Sequence, residues 1–300
     1  MPTEADTERP HWAAVVVNYE TGDRLAHCVR SVLADTSAGP VELVVVDNGS
    51  TDGSVDTLRA AVPDVRVVSP PENLGYARAA NLGIAATRAP VVAVLNADIV
   101  VEPGAAKVLV DRLDREARLG ACGPRLRNPD GTDYPSSRTM PSIPVAVGHA
   151  VFVLWKPDNR YTSHYRQLDA DPATPRLVDV VSGAAIWFRR AALDDVGGWD
   201  ERYFMYLEDT DLCWRLRRAG WDVAYEPSAV VDHEQGASTA RHPYRMLLEH
   251  HWSAYRFARV RLTGVRVVLL PFAAVFLAAR AVLAVLAHAW RTAGPRRGRG

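Results

Sequence analysis

Apolar positions in the first hundred residues come in blocks. Trp12–Val17 (WAAVVV), Val41–Asp47 (VELVVVD), Val65–Val68 and Val91–Asp98 (VVAVLNAD) are short, nearly unbroken runs bounded by turn residues. Such runs are the pattern of strands buried on both faces of a parallel sheet. Between them, Arg24–Leu33, Ser54 to about Ala61, and Tyr76–Thr87 have helical spacing. Repeated βα steps with short connections predict an α/β fold built on a doubly wound, mostly parallel sheet with right-handed crossovers. From Leu119 to about Asp179 the pattern weakens into Pro, Asp and Arg. One apolar patch there, Val145–Trp155, suits a helix or a flap over a site. Order returns at Val178–Phe188, a strand interrupted at Ser182-Gly183, followed by a tight loop at Gly197-Gly198. A helix is predicted from Glu208 to Gly220, with Arg215, Arg217 and Arg218 in its last turns. Trp221–Tyr225 and Ala229–Val231 then predict two short strands that end at Asp232-His233.

In open α/β sheets the ligand crevice lies outside the carboxyl ends of the strands. Three of these runs end on polar side chains there: Asn18 and Tyr19, Asp47, and the Asn96-Ala97-Asp98 step. Asn96 and Asp98 share parity and can hold a hard cation against an anionic substrate, while Asp98 can equally cap the turn before the helix opened by Pro103. Asp47 is placed to accept the N–H of a base. The alternative, a helix cap, is already served by Ser50 or Asp52. Arg78 and Asn81 lie on one helix face and reach a nucleotide or its diphosphate if that face turns toward the strand ends. Trp199, Tyr203, Phe204 and Tyr206 are aromatic enough to wall a carbohydrate pocket. Glu208, Asp209 and Asp211 crowd the first turn of their helix, where the macrodipole stabilises acids and Asp211 pairs with Arg215. Glu208 and Asp211 share one face and Asp209 points about 100° away. The cluster can therefore divide its work between a substrate and the helix itself. His233, after a strand and beside an acid, is a candidate second metal ligand. No GxGxxG follows the first strand and no GxxxxGK[ST] occurs, so the dinucleotide and P-loop readings lack their phosphate cradle.

With 300 residues, 48% of them apolar, the chain has a sizeable core and is not disordered. Zero formal net charge argues against a nucleic-acid partner. Cys28, Cys122 and Cys213 lack metal or disulfide spacing and fit a reducing compartment. The polar, acidic start is unlike a signal peptide, so a cytoplasmic location is expected. The last sixty residues differ. Arg241, Arg245, Arg256, Arg259, Arg261 and Arg266 face Glu249, and Val267–Ala279 is uninterrupted and apolar before Arg280. That run is shorter than the ~20 residues of a bilayer span, and extending it buries Arg280. A helix in the membrane interface, kinked at Pro271, is expected, with packing on the core or in a homodimer as the alternative.

The pieces VVVNY, VVVDNGSTDGS, ENLGYARAANLGI, VLNAD, SGAAIWFRRAAL, GGWDERYFMYLEDTDLCWRLRRAG and VDHEQGAS, in this order, make Trp12–Ser238 resemble the inverting nucleotide-sugar glycosyltransferases of family 2, with the GT-A fold. The resemblance is to the rhamnosyltransferase-like branch. Actinobacterial members put rhamnose on a lipid-diphosphate-linked N-acetylglucosamine in cell-wall linker synthesis. The resemblance implies a GT-A domain at 12–238 after a disordered 1–11, Arg-rich and amphipathic helices at 239–290, and a basic disordered tail at 291–300. It implies that Asp47 binds the pyrimidine with Asn18, Tyr19 and Arg78 nearby, and that Asp98, with Asn96 beside it and His233 in support, holds Mg²⁺ or Mn²⁺. Asp209 matches the general base. A dTDP-sugar or UDP-sugar is then the donor and a polyprenyl-diphosphate sugar at the inner face of the cytoplasmic membrane the acceptor. Transfer of another hexose, galactofuranose or glucose, is the nearest alternative. A non-catalytic sugar-nucleotide-binding scaffold is the alternative of another class, and it has no need of the acidic cluster.

Overall fold

The valine-rich runs form β1 (Trp12–Asn18), β2 (Val41–Asp47), β3 (Arg66–Val68) and β4 (Val91–Asn96), alternating with α1 (Arg24–Ala34), α2 (Ser54–Ala61) and α3 (Tyr76–Ala85). The computed structural model describes residues 10–153, 156, 158–234 and 242–293. The start before residue 10, the Gln235–Ser238 end of the last motif, Arg241, the tail from 294, and Leu154 and Trp155 of the apolar patch lie outside the described residues.

The strands run parallel in the order β3-β2-β1-β4. Alternate side chains of β1 enter opposite layers: Trp12, Ala14 and Val16 pack with Leu25 and Val29 of α1, Val15 and Val17 with Ala77 and Ala80 of α3. Burial on both faces is why these runs carry no polar alternation, each fully buried aliphatic side chain being worth about 1.5–3 kcal/mol. At Gly83 of α3 a Cβ would lie 2.1 Å from Val15 Cγ1, so only glycine lets this helix lie so close to the sheet.

Beyond β4 follow β5 (Ile99–Val101), α4 (Ala105–Arg115), β6 (Leu119–Arg127), β7 (Asp133–Tyr134), β8 (Ser137–Arg138), α5 (Ile143–Phe152), α6 (Arg160–Arg166), β9 (Arg176–Leu177), β10 (Val180–Val181), β11 (Ala185–Arg189), α7 (Arg190–Val196), α8 (Glu208–Arg218) and β12 (Asp222–His233). β11 inserts antiparallel between β4 and β6, and β12 lies parallel to β6, so the sheet is mixed. The apolar patch is helical, as α5. The two strands expected after residue 220 are one, β12, with a break in register between Glu226 and Val230. Pro227 lies in that break, where it has no N–H to give to the ladder.

The chain ends in α9 (Pro243–Arg261) and α10 (Leu270–Ala293), packed against each other. α9 seats on the aromatic loop before α8: Ser253 Oγ donates to the Met205 carbonyl at 2.9 Å, and Arg245 lies 4.3 Å from the Phe204 ring centroid. Pro271 does not kink α10. It stands in the first turn, where a missing N–H costs nothing. Gly264–Trp290 is long and apolar enough to cross a membrane, and 6% of its most apolar window is buried. Arg280 does not interrupt that surface, because its Nε donates to the Ala150 carbonyl at 2.8 Å and its Nη1 lies 2.7 Å from His251 Nε2.

Candidate active site

The carboxyl ends of β2, β1 and β4 lie side by side, with Asn18 opposite Asp47 and Val17 opposite Asn96. Asn18 is fully buried, and its amide donates to Asp47 Oδ1 at 2.8 Å, Ser54 Oγ at 3.0 Å and Ser50 Oγ at 3.1 Å. Its carbonyl accepts from the Thr21 hydroxyl. The Asn18 side chain is thus engaged by the protein, and it fixes the Asp47 carboxylate at the strand end. Asn48 binds the next loop to this point, accepting the Leu74 N–H and donating to Asn73 Oδ1 and the Gly75 carbonyl. Tyr19 sits half-buried just past β1, and next to it in sequence a cavity of about 540 Å³ opens between Glu20–Arg24, His27, Asp52 and Glu234.

Asp98 and His233, 135 residues apart in sequence, are brought together because β5 zips antiparallel onto the end of β12, Ile99 opposite His233. His233 Nε2 lies 3.4 Å from Asp98 Oδ1, both side chains are buried, and the Glu234 N–H donates to the Asp98 carbonyl. His233 Nδ1 is buried without a hydrogen-bond partner among the described residues. Asn96 is half-buried beside them, its carbonyl taking the Cys28 thiol. The Asp98 carboxylate suits Mg²⁺ or Mn²⁺ by donor type, while an imidazole nitrogen is a poor donor for Mg²⁺ and fits the softer Mn²⁺ better. The described residues gather no third His, Cys, Asp or Glu, so a cation here needs oxygens from its substrate and water.

Asp209 stands in the first turn of α8. Its Oδ2 accepts the Gly183 N–H at 3.0 Å and lies 3.8 Å from Arg138 Nη1, while Oδ1 accepts the Thr210 N–H. A Cβ at Gly183 would come within 3.2 Å of Asp209 Cβ, so the Ser182-Gly183 interruption is what lets the backbone reach the acid. Tyr76 donates its hydroxyl to the Gly183 carbonyl at 2.8 Å. Burial, and then the carboxylates of Glu208, Asp209 and Asp98, push the Tyr76 phenol well above its ordinary pKa. The Asn96 N–H donates to the Ala184 carbonyl at 2.9 Å, next to the Gly183 peptide that meets both Tyr76 and Asp209, so the end of β4 and Asp209 lie at one edge of the sheet. Tyr76, Arg138 and Gly183 were not singled out as site residues from sequence. The break in apolar pattern at Ser182-Gly183 was a signal for Gly183; Arg138 lies in the region without periodicity.

A strand-end acid, an Asp–His pair and a helix-borne acid around one crevice fit sugar transfer from a nucleotide, and comparison with known proteins identifies the group. The model of glycosyl transferase family 2 matches residues 13–197, and that of glycosyl transferase family group 2 matches 144–293. The chain belongs to glycosyl transferase family 2. It is 41% identical over 261 residues to the N-acetylglucosaminyl-diphospho-decaprenol L-rhamnosyltransferase of Mycobacterium tuberculosis, covering 83% of this chain and 84% of that one. Among solved structures it is similar to a mannosyltransferase of Pyrobaculum calidifontis in complex with GDP-Man and Mn²⁺, with TM-score 0.59 and 19% identity over 96% of this chain and 77% of that one. It is also similar to GalNAc-T7 with UDP, GalNAc and Mn²⁺, with TM-score 0.56 and 14% identity over 76% of this chain and 44% of that one. These likenesses carry the GT-A fold.

The other expected site residues of this glycosyltransferase also make contacts within the protein. Trp199, 1% exposed, does not line a pocket: its ring packs edge-on against Tyr76 and Phe188, and Tyr203 is equally buried. Asn81 is engaged by the same loop. Its amide brackets the Trp199 backbone, donating to the carbonyl at 2.9 Å and accepting the N–H at 3.0 Å. Arg78, half-exposed, lies 3.6 Å from Glu201 at the outer edge of the same loop. Asp211 accepts from Arg215 at 2.7 Å, and Arg215 Nη1 donates to the Val196 and Gly198 carbonyls, so the acid holds the Gly197-Gly198 loop in place.

Glu208 is buried, with Oε2 unpaired among the described residues. Burial first, and Asp209 second, push its carboxyl up from 4.5 to about 8. Between those values the folded chain keeps a proton that the unfolded chain has lost, so Glu208 makes stability fall as pH rises through this window. Glu208→Gln removes the effect. The drop in Tm between about pH 5 and pH 8, followed by scanning fluorimetry, is expected to be shallower in the variant than in the parent. Equal drops would mean that Glu208 is ionised in the folded protein.

Proposed function

We propose that this family 2 glycosyltransferase moves L-rhamnose from dTDP-L-rhamnose onto a polyprenyl-diphosphate-linked N-acetylglucosamine. The observation that carries the assignment is 41% identity over 84% of the length of a relative bearing that activity in its name. The acids around Tyr76 supply the chemistry. Asp47, fixed by Asn18, accepts the N–H of the pyrimidine, with Tyr19 and Arg78 at the same end of the sheet. Asp98 and His233 would hold a divalent cation, Mg²⁺ or Mn²⁺, with Asn96 beside them. When bound, that ion offsets the negative charge that grows on the departing nucleoside diphosphate. Asp209 takes the proton from the acceptor hydroxyl as that oxygen attacks the anomeric carbon on the face opposite the diphosphate. The new C–O bond forms as the bond to the diphosphate oxygen breaks, and a single displacement inverts the anomeric centre.

A lipid-linked acceptor gives the apolar surface of α10 a purpose. We place residues 12–238 as the catalytic domain and the helices within 239–290 as the part that meets the inner face of the cytoplasmic membrane. The full chain, incubated with Mg²⁺, a short polyprenyl-diphosphate N-acetylglucosamine and a panel of thymidine and uridine diphosphate sugars, tests the assignment. Nucleotide release with dTDP-L-rhamnose alone, with one deoxyhexose of added mass on the lipid, is expected. Release from another donor would keep the family and discard the rhamnosyl reading.

A further inference from the structure

The acidic helix α8 is entered through a turn that its own residues disfavour. Tyr206 and Leu207 are both left-handed, at φ 70° and 62°, although each carries a bulky side chain and glycine is the residue suited to that region. Leu207 is the N-cap of α8 and supplies no side-chain cap; its carbonyl takes the Asp211 N–H at 2.8 Å. Such backbone persists only where the surroundings over-determine it. Two elements grip this segment. On one side the Tyr76 N–H donates to the Phe204 carbonyl at 2.8 Å, with Gly75 so near that a Cβ there would lie 2.6 Å from the same oxygen. On the other side α9 brings Ser253 Oγ to the Met205 carbonyl at 2.9 Å, the His250 ring edge-on to Tyr206 at 5.5 Å, and the Arg245 guanidinium to the Phe204 ring.

Ser253 is 1% exposed and stands in mid-helix, where a serine hydroxyl usually bonds back to a carbonyl of its own helix. Here it reaches out of α9 to the peptide that joins Met205 to Tyr206. A flip of that peptide, a coupled turn of Met205 ψ and Tyr206 φ, carries Tyr206 from φ 70° to about −110°, an ordinary extended conformation. The same flip turns the Met205 carbonyl away from α9 and breaks its bond to Ser253. The hydrogen bond therefore selects the strained orientation of the peptide and opposes its relaxation. Asp209 follows Tyr206 by three residues, in the first turn of α8, where its Oδ2 meets the Gly183 N–H, so the orientation of the turn fixes where the carboxylate stands. We infer that Ser253 is a positioning residue for sugar transfer: through the Met205 carbonyl it locks the left-handed Tyr206–Leu207 turn, and with it the place of the Asp209 carboxylate. This rests on the role of base proposed above for Asp209. The C-terminal helices then do more than meet a membrane, because α9 is built into the machinery that orients the base.

The test uses the full chain, with Ser253→Ala made alone and in a Tyr206→Gly background. Alanine keeps the helix and takes away only the hydroxyl. Turnover is read by nucleotide release at saturating acceptor, with whichever donor the panel above selects. Ser253→Ala is expected to lower kcat about tenfold, the change expected from one buried hydrogen bond, with donor KM changed less than about twofold. Hydrogen exchange of the amides of residues 204–211, followed by mass spectrometry, should speed up about tenfold in the same variant. In the Tyr206→Gly background, where glycine takes the left-handed φ without penalty, Ser253→Ala should cost less than about twofold in kcat. A kcat within about twofold of the parent, or unchanged exchange over residues 204–211, overturns the proposal. So does an equal loss in both backgrounds, which would mean that the hydroxyl acts by another route. A loss carried by donor KM instead of kcat also overturns it, by making Ser253 a donor-site residue. Selection of a donor other than dTDP-L-rhamnose would remove the sugar assignment and leave the cycle to be read with that donor. A parent chain that turns over no donor would end the transfer reading, while exchange over residues 204–211 still decides whether Ser253 locks the turn.

Discussion

Asp209→Asn is expected to lower turnover by about 10² or more while the donor binds nearly as before. The substitution keeps the shape of the side chain and an oxygen for the Gly183 N–H, but an amide cannot take the acceptor's proton. Neither neighbour replaces it. Glu208, which burial and Asp209 push up to about 8, keeps its own proton near neutral pH and cannot accept a second. Asp211 is 1% exposed and committed to Arg215. Asp209 is the member of the cluster with side-chain surface open, 17%, and it lies 3.8 Å from Arg138. Donor affinity is read by calorimetry with the nucleotide sugar, and turnover by nucleotide release at saturating acceptor. Near-normal turnover in Asp209→Asn would remove Asp209 as the base, and an equal loss of donor affinity would make it a donor-binding group.

Sheet and site were legible in sequence to different depths. The first four strands were readable because burial on both faces leaves an unbroken apolar run, and their polar ends marked the crevice. Asp98 and His233 each stood out as a polar residue closing a strand, and the pairing of β5 with β12 makes them neighbours. What periodicity cannot report is the direction of a side chain within a buried layer or loop. Trp199 after Gly197-Gly198 reads equally as the wall of a sugar pocket and as core, and the deciding contacts come from Tyr76 and Phe188, elements 123 and 11 residues away. Asn18 and Asn81 look like ligand residues because they are polar at the right place. Both are satisfied by the protein, Asn18 by Asp47 and the serines of the next turn, Asn81 by the Trp199 backbone. Arg138 left no local signal, since a two-residue strand has no periodicity and its importance comes from its neighbours in space.

Arg215→Ala is expected to destabilise the fold by about 3–5 kcal/mol, because it leaves the buried Asp211 carboxylate without its partner. Burial already holds the Asp211 pKa above its ordinary value, with Arg215 opposing that shift. Without the arginine the shift grows. A carboxyl whose folded pKa lies above its unfolded one loses stability as pH rises, so the deficit of the variant should be larger at about pH 8 than at about pH 5. Asp211→Asn separates the charge from the packing. It removes the buried anion and leaves Arg215 Nη1 on the Val196 and Gly198 carbonyls, so its loss should be well below that of Arg215→Ala. A fall in Tm of about 10 °C for Arg215→Ala, read by calorimetry, matches the free-energy range. A fall below about 2 °C would mean that Asp211 is protonated or solvated in the folded parent. Activity should follow through the loop that these bonds hold. Gly198 precedes Trp199, Trp199 packs on Tyr76, and the Tyr76 hydroxyl holds the Gly183 peptide whose N–H meets Asp209. Turnover in Arg215→Ala, measured well below its Tm, is therefore expected to fall, and by less than in Asp209→Asn, because the base is displaced and not removed.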